Sequence, residues 1–349
     1  MANLLLTNRC LRACPYCFAG RELEPGGRGT SVSWEDAVYV ADFLFRSGED
    51  RLALLGGEPM LHPEFVDLLL YFRARGLHLT VFTSGMGPAA TLRALEAHLP
   101  AFDGDTLQFV CNLNDPEQTP PARGEPARVH RFLTAFGPWV MPAFTIYRPD
   151  FRLEFLFDLI GQHGLTRHLR LGVAHPVPGA PSRHVSPAQY REIAGRLCSY
   201  RPLFERFRVK PGFDCGFPMC QFTDAQLGWL QRLCGEAARF ECGAAIDIAP
   251  DMSLYHCFPL SRFQRRSLYE FDTLADVNRF YDRLRDDLHA ELPGIFEECD
   301  DCIQRREGSC AGGGACHLMS RMIGEASVRL PEIDRALADV GVPGRARTD

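Results

Sequence analysis

The alternation of short apolar runs with longer amphipathic stretches in the N-terminal half constrains this chain's fold more than any other feature. Strand-like runs stand at Asn3 to Thr7, Arg51 to Leu55, Leu77 to Thr83, Thr106 to Leu113, Val140 to Tyr147 and His168 to Val173. Between the first two, Ser33 can cap a helix whose Trp34, Val38, Ala41, Leu44 and Phe45 share one face and which Gly48 ends. His62-Pro63 opens a second helix, with Phe65, Leu68, Leu69 and Phe72 as its buried stripe up to Gly76. Further helices are expected near Ala90 to His98, Ala127 to Phe136, Phe151 to His163 and Pro187 to Tyr200. Such alternation builds parallel sheets, because parallel neighbours need a crossover connection. Six units fall short of a closed eight-stranded barrel, but right-handed crossovers can curl them into a partial one with functional loops at the carboxyl ends of the strands. The expected fold class is therefore α/β, a partial (β/α)6 TIM-like barrel over residues 1–205. The proline-containing segment Asp115 to Pro126 reads as an exposed loop.

Beyond the barrel rhythm, cysteines dominate. A small cysteine-rich α+β domain is expected over residues 206–320, followed by a C-terminal helix and tail over 321–349. Of 14 cysteines, four precede residue 112, none follows until Cys198, and nine lie between Cys215 and Cys316. Hydrophobic residues at 46% and charged residues at 23% fit a globular enzyme and not a disordered chain. A formal net charge of -6 offers no basic face for nucleic acid, and the clusters Arg262 to Arg266 and Arg305-Arg306 read as solvated surface. No run approaches the roughly 18 to 20 apolar residues of a membrane span, and the N-terminus lacks a signal-peptide pattern. No membrane partner and a cytoplasmic location are expected. That compartment keeps thiols reduced, so this many cysteines point to metal sites and not to disulfides.

The sharpest local feature is Cys10-Leu-Arg-Ala-Cys14-Pro-Tyr-Cys17, directly after the strand-like Leu4-Leu5-Leu6-Thr7. Three soft thiolates on one short loop can hold an iron-sulfur cluster. A 4Fe-4S cluster would keep one iron open, whereas zinc would want a fourth ligand close by. Cys111 and Cys198 sit in apolar patterns and read as core thiols. Gly56-Gly57-Glu58-Pro59 ends the next strand-like run, where a carboxylate beside two glycines can accept from an ammonium while the backbone approaches a ligand closely. Together with Tyr16 before the last loop cysteine, these motifs resemble those of radical S-adenosylmethionine (SAM) enzymes. The resemblance implies a 4Fe-4S cluster on Cys10, Cys14 and Cys17, with SAM chelating the fourth iron and an electron donor such as flavodoxin or ferredoxin. It also implies that Gly56, Gly57 and Glu58 meet the SAM amino group and that Tyr16 meets the adenine. Ser84 in Thr83-Ser84-Gly85, Asn112, Asn114 and Thr145 are further polar residues at the same end, and Leu171-Gly172-Val173 is a stretch that could lie against adenine.

The second half resembles the SPASM and twitch extensions of that superfamily, which carry one or two auxiliary Fe-S clusters. Cys242, the turn at Pro250-Asp251 and Tyr255-His256-Cys257 look like the hairpin that brings two ligands together, with Met252 where the pattern has glycine. Cys299-x2-Cys302 starts the later block, but the gaps to Cys310 and Cys316 are longer than usual and no cysteine follows. One cluster is expected on Cys234 or Cys242 with Cys257 and Cys316, and most of another on Cys299, Cys302 and Cys310, completed if Cys215 or Cys220 supplies a ligand. A zinc knuckle of Cys299, Cys302, Cys310 and Cys316 is the competing reading. His256 and His317 adjoin ligand cysteines, and Asp214 or the Cys215 to Cys220 loop could place an acid or thiol near substrate. The implied activity is cleavage of SAM to a 5'-deoxyadenosyl radical that abstracts hydrogen from a peptide or protein. Alternatives are a small-metabolite substrate within the same class, or a noncatalytic Fe-S or zinc scaffold that binds a peptide.

Overall fold

The structure is a computed structural model that describes residues 2–325 except 20–22, 26–28, 179–181, 216, 236–239 and 244. The C-terminal tail expected beyond 325 lies outside the described residues. All six expected strands are present: β1 (Ala2–Thr7), β2 (Arg51–Gly56), β3 (His78–Thr83), β4 (Leu107–Asn112), β5 (Val140–Ile146) and β6 (His168–Val173). They pair in that order and are parallel throughout, as in Leu4 opposite Leu54 and Phe144 opposite Leu171.

The cysteine-rich half extends the same sheet at both edges. β7 (Lys210–Phe213) adds in parallel to β6, while β8 (Ile246–Ile248) adds in parallel to β1 and leads into the antiparallel β9 (Ser253–Tyr255) and β10 (Arg266–Ser267). The ten strands run from β10 to β7 without closing, so the barrel is a partial one. These four added strands are two to four residues long, and Pro211 and Gly212 interrupt β7, so none carries enough alternation to announce itself.

Crossover helices α1 (Trp34–Arg46), α2 (Phe65–Ala74), α3 (Ala89–His98), α4 (Glu125–Phe136), α5 (Glu154–His163) and α6 (Tyr190–Ser199) accompany the strands. In α1, Ser33 Oγ accepts from Asp36 N at 3.0 Å as an N-cap should. Its buried stripe is Ala37, Val40, Ala41 and Leu44 together with Phe43, and Phe45 is instead 72% exposed. The expected face was therefore rotated, because Leu44 fits both stripes. In α2 all four expected residues are buried. Beyond the first six come α7 (Arg201–Phe207), α8 (Asp224–Cys234), α9 (Leu274–Glu291), α10 (Ile303–Arg306) and α11 (Ala315–Glu325).

Because successive strand residues face opposite sides, Leu4, Leu6 and Leu54 join the main core with Phe43, Phe72 and Phe136 of the helices. Leu5 and Leu55 belong instead to a smaller cluster with Ala19, Ala249, Tyr255 and Phe258. That cluster ties the loop after β1 to the turns around the β8-β9 hairpin. The Asp115 to Pro126 segment is a mostly exposed loop as far as Gly124, as expected, but Asp115, Thr119 and Glu125 are buried, and Glu125 already begins α4. Among the described residues no helix is long and apolar enough to cross a membrane.

Candidate functional site

At the carboxyl end of β1 the chain turns into the three-cysteine loop, and the end of β2 is laced to it by backbone. Gly57 N donates to Thr7 O at 2.8 Å and Glu58 N to Arg9 O at 2.7 Å. Side chains would forbid this approach, since a Cβ on Gly56 would lie 2.2 Å from Thr7 O and one on Gly57 2.0 Å from Arg9 O. Gly56 also has φ +140°, a region open to glycine. The two glycines thus have a structural use in this chain apart from any ligand.

Cys17 N donates to Cys14 O at 3.1 Å, curling the loop so that its thiols are electrostatic neighbours. Burial pushes Cys17 up to about 12, and Cys14 and Cys10 push it further in the same direction. Burial also raises Cys10, with Glu58 and Cys14 adding to the rise against a hydrogen bond from Arg12 N. Cys10 and Cys17 held this way stay protonated until a cation compensates them, which is the donor chemistry an iron-sulfur cluster uses.

The loop is anchored by Arg12, between the first two cysteines. Its guanidinium is buried, pairs with Glu125 of α4 at 2.6 Å, and donates to Asn112 O at 2.6 Å and Ser84 O at 3.1 Å. One cation therefore gathers the carboxyl ends of β3 and β4 beneath the cysteines. Glu58 is fully buried, and its carboxylate accepts from Thr83 Oγ1 at 2.7 Å, from Ser84 N at 2.8 Å and from Ser84 Oγ. Thr83 and Ser84 are thus brought to Glu58 itself. Tyr16 is buried with its ring stacked on Tyr147 at 5.0 Å; its hydroxyl donates to Asn114 Oδ1 and accepts from Asn112 Nδ2 at 3.1 Å. Asn114 Nδ2 in turn points at Cys14 Sγ, 3.8 Å away. A cavity of ≈ 320 Å³ opens beside Cys10, Arg12, Cys14, Asn114 and Thr119, within the size range of small-molecule sites.

Toward the middle of the sheet, Arg170 pairs with Asp214 at 2.5 Å and lies over Phe82 at 4.9 Å. Gly172 stands between Thr145 and Asp214, whereas Leu171 and Val173 join the main core. Sequence reasoning missed Arg12, Tyr147, Glu125 and Arg170, whose roles depend on partners far along the chain.

All fourteen cysteines are free thiols. Nine lie between Cys215 and Cys316, and the structure sorts eight of them into two groups. In the first, burial raises Cys242, Cys257 and Cys316, and within Cys215, Cys242, Cys257 and Cys316 every thiol is an electrostatic neighbour of every other. His175 Nε2 stands 3.3 Å from Cys215 Sγ, and its ring draws the Cys316 thiol back down. In the second, burial raises Cys220 and Cys299, followed for Cys220 by Cys310 and Cys302 and for Cys299 by Cys220, Cys310 and Cys302. Cys234 joins neither group: its Sγ donates to Pro211 O at 3.1 Å. The zinc-knuckle set is split, because Cys316 belongs to the first group. Among the described residues no three His, Cys, Asp or Glu side chains close on a point as a single ion requires. A cubane spreads its ligands over a larger volume, and the soft, all-sulfur donor sets fit one. Cys111 is fully buried in the core as expected, and Cys198 is partly buried.

Residues 4–106, which hold the cysteine loop and Gly-Gly-Glu-Pro, match the radical SAM superfamily model. These residues form a radical SAM domain. The chain is 37% identical over 93 residues to the PqqA peptide cyclase of Ruegeria pomeroyi, a stretch that is 26% of this chain and 24% of that protein. The chain covers between 15% and 29% of the first curated relatives it matches. Among solved structures, hexahistidine-tagged anSMEcpe with bound AdoMet superposes over 97% of this chain and 99% of its own, with a TM-score of 0.62 at 14% identity. Streptococcus suis SuiB bound to precursor peptide SuiA matches 79% of this chain and 64% of its own, with a TM-score of 0.53 at 15% identity. At these identities the likeness is one of fold, and it places the radical SAM domain and the cysteine-rich half in one known architecture.

Proposed function

We propose that this chain is a radical SAM enzyme that reductively cleaves S-adenosylmethionine and abstracts hydrogen from a peptide or protein, acting as a peptide maturase. The observation that carries the reading is the three-cysteine loop after β1, with Cys10 buried and Cys14 and Cys17 partly buried, laced to Gly56-Gly57-Glu58 inside the family match. When bound to Cys10, Cys14 and Cys17 with SAM on its open iron, a 4Fe-4S cluster supplies the electron that yields methionine and a 5'-deoxyadenosyl radical.

The chain's own residues bind and orient. Gly56 and Gly57 let backbone approach the SAM amino group, while Thr83 and Ser84 hold Glu58 in its buried position beside Cys10. Tyr16, braced by Asn112, Asn114 and Tyr147, forms the adenosine side. Arg12 keeps these strand ends in register, and the apolar cluster of Leu5, Leu55 and Phe258 excludes water beneath the loop. Residues 1–205 make the radical, and residues 206–320 hold one or two auxiliary Fe-S clusters. A peptide substrate is favoured by the relative named PqqA peptide cyclase and by SuiB, solved with a precursor peptide. The electron comes from a flavodoxin- or ferredoxin-type donor, and the fourteen free thiols favour a cytoplasmic setting.

The test is a 5'-deoxyadenosine assay under dithionite on anaerobically reconstituted wild type and Cys10→Ala/Cys14→Ala/Cys17→Ala. Wild type is expected to release deoxyadenosine, and the triple variant to keep auxiliary iron but release none. A wild type that takes up only zinc, or that is iron-loaded yet leaves SAM intact, would make the chain a peptide-binding scaffold.

A further inference from the structure

We propose that Cys215 and Cys220 complete two separate 4Fe-4S sites, each with four cysteine ligands. Cys215 joins Cys242, Cys257 and Cys316, and Cys220 joins Cys299, Cys302 and Cys310. This inference rests on the reading that residues 206–320 hold iron-sulfur clusters, and it names their ligands.

For the first site, segments from distant parts of the chain converge. Cys215 follows β7 and lies 3.3 Å from His175 Nε2, on the segment after β6. The same histidine borders Cys316, since the site of a Cβ on Gly314 is 3.3 Å from Cys316 Sγ and 3.7 Å from His175 Cε1. Ala315 N, next to Cys316, points at Cys242 Sγ at 3.5 Å. Cys257 enters from the β8-β9 hairpin, where the Phe258 N–H is held by Asp247. For the second site, Cys302 N donates to Cys299 O at 3.4 Å and Cys310 N to Gln304 O at 3.1 Å, folding the block on itself. Gly294 fits directly against Cys299 Sγ, where a Cβ would lie 2.3 Å away, and Gly312 N points at Cys310 Sγ at 3.4 Å. Cys220 lies on the one-turn helix Met219–Gln221; Phe222 just beyond it packs on Phe240 at 5.9 Å, and Phe240 O accepts from Ala311 N, next to Cys310, at 3.2 Å.

The two contributed ligands are five residue steps apart in the chain, so their Cα atoms are at most about 18 Å apart. A cavity of ≈ 580 Å³ touches both groups, through Cys242 and Cys310, and its lining balances Arg285 and Arg305 against Glu241 and Asp286. Cys234 is excluded by its bond to Pro211 O. The missing cysteine after Cys316 is thereby replaced from earlier in the chain. Saturated coordination leaves neither auxiliary site an open iron, so substrate is not held through iron there.

The test counts iron and sulfide, and records electron paramagnetic resonance, in the Cys10→Ala/Cys14→Ala/Cys17→Ala background, where the radical-forming site is gone. That background is expected to hold about eight irons and eight sulfides per chain. Adding Cys215→Ala or Cys220→Ala is expected to remove up to about four irons each, or to leave a cluster that loses one iron on oxidation and gives a three-iron signal. Cys234→Ala is expected to change nothing. Cys215→Ser and Cys220→Ser, with circular dichroism, separate ligand loss from misfolding. The proposal is overturned if Cys234→Ala lowers the iron while Cys220→Ala or Cys215→Ala does not, or if zinc without sulfide fills either site. Deoxyadenosine release by the intact loop is measured separately, so the radical SAM reading stands or falls on its own assay.

Discussion

On β8, Asp247 is 2% exposed, and one carboxylate oxygen accepts from Asn3 Nδ2 at 2.7 Å. Burial pushes its pKa up to about 7, against the pull of Asn3 and the Phe258 N–H. An unfolded aspartate ionises near about 3.9, so between about pH 4 and 7 the unfolded chain has released a proton that the native state keeps. Native stability from this group is therefore full below pH about 4, falls as pH rises to about 7, and is flat beyond. Asp247→Asn keeps the acceptor for Asn3 without the charge. Its melting temperature in the cluster-free protein should exceed that of wild type by several degrees more at about pH 8 than at about pH 5. A gap independent of pH would show that Asp247 ionises normally. Other residue roles divide in the same way by the range of their partners. Ser33 and Asp36, or Cys14 and Cys17, act over three residues and could be read from the sequence. Asn3 with Asp247 and Arg12 with Glu125 could not, because nothing local records a contact made across the fold.

At the scale of elements, the loop after β2 is where sequence motif and structural constraint coincide. Glycine is required at position 57 because a methyl there would meet Arg9 O, a backbone atom that cannot move without shifting Cys10. Gly57→Ala is expected to lower iron retention by the three-cysteine loop and to weaken SAM binding several-fold. The main core does not include this loop, so the melting temperature should fall much less than for a core truncation such as Phe72→Ala, which costs about 3–5 kcal/mol. Equal melting losses in the two variants, with iron retained in Gly57→Ala, would show that the loop tolerates displacement. The strands and crossover helices were legible because each is long enough to show its period. The face of α1 was misread, since Phe45 is apolar but exposed, and the four short strands of the second half carried no period at all.

Both halves of the molecule share one ten-stranded sheet. β8 covers the edge of β1 and β7 covers the edge of β6, so cutting after residue 205 would uncover backbone donors and acceptors at both ends of the six-stranded core. The fragment 1–205 is expected to aggregate on size-exclusion chromatography, whereas the full chain does not. A monodisperse fragment with native circular dichroism would show that the first half closes its own edges. The same sharing brings Cys215, at the end of β7, and Cys257, after the β8-β9 hairpin, together from opposite edges of the sheet.

By itself the sequence determined the α/β alternation, the three-cysteine loop and the glycine-rich strand end, because each is written within a few neighbouring residues. Only the tertiary structure decided that Glu58 is locked by Thr83 and Ser84, that Arg12 binds three distant segments, and which cysteines meet. Spacing along a chain limits which thiols can be neighbours when the gap is short. Across the gap of more than forty residues between Cys257 and Cys299, only the path of the sheet sets who stands beside whom.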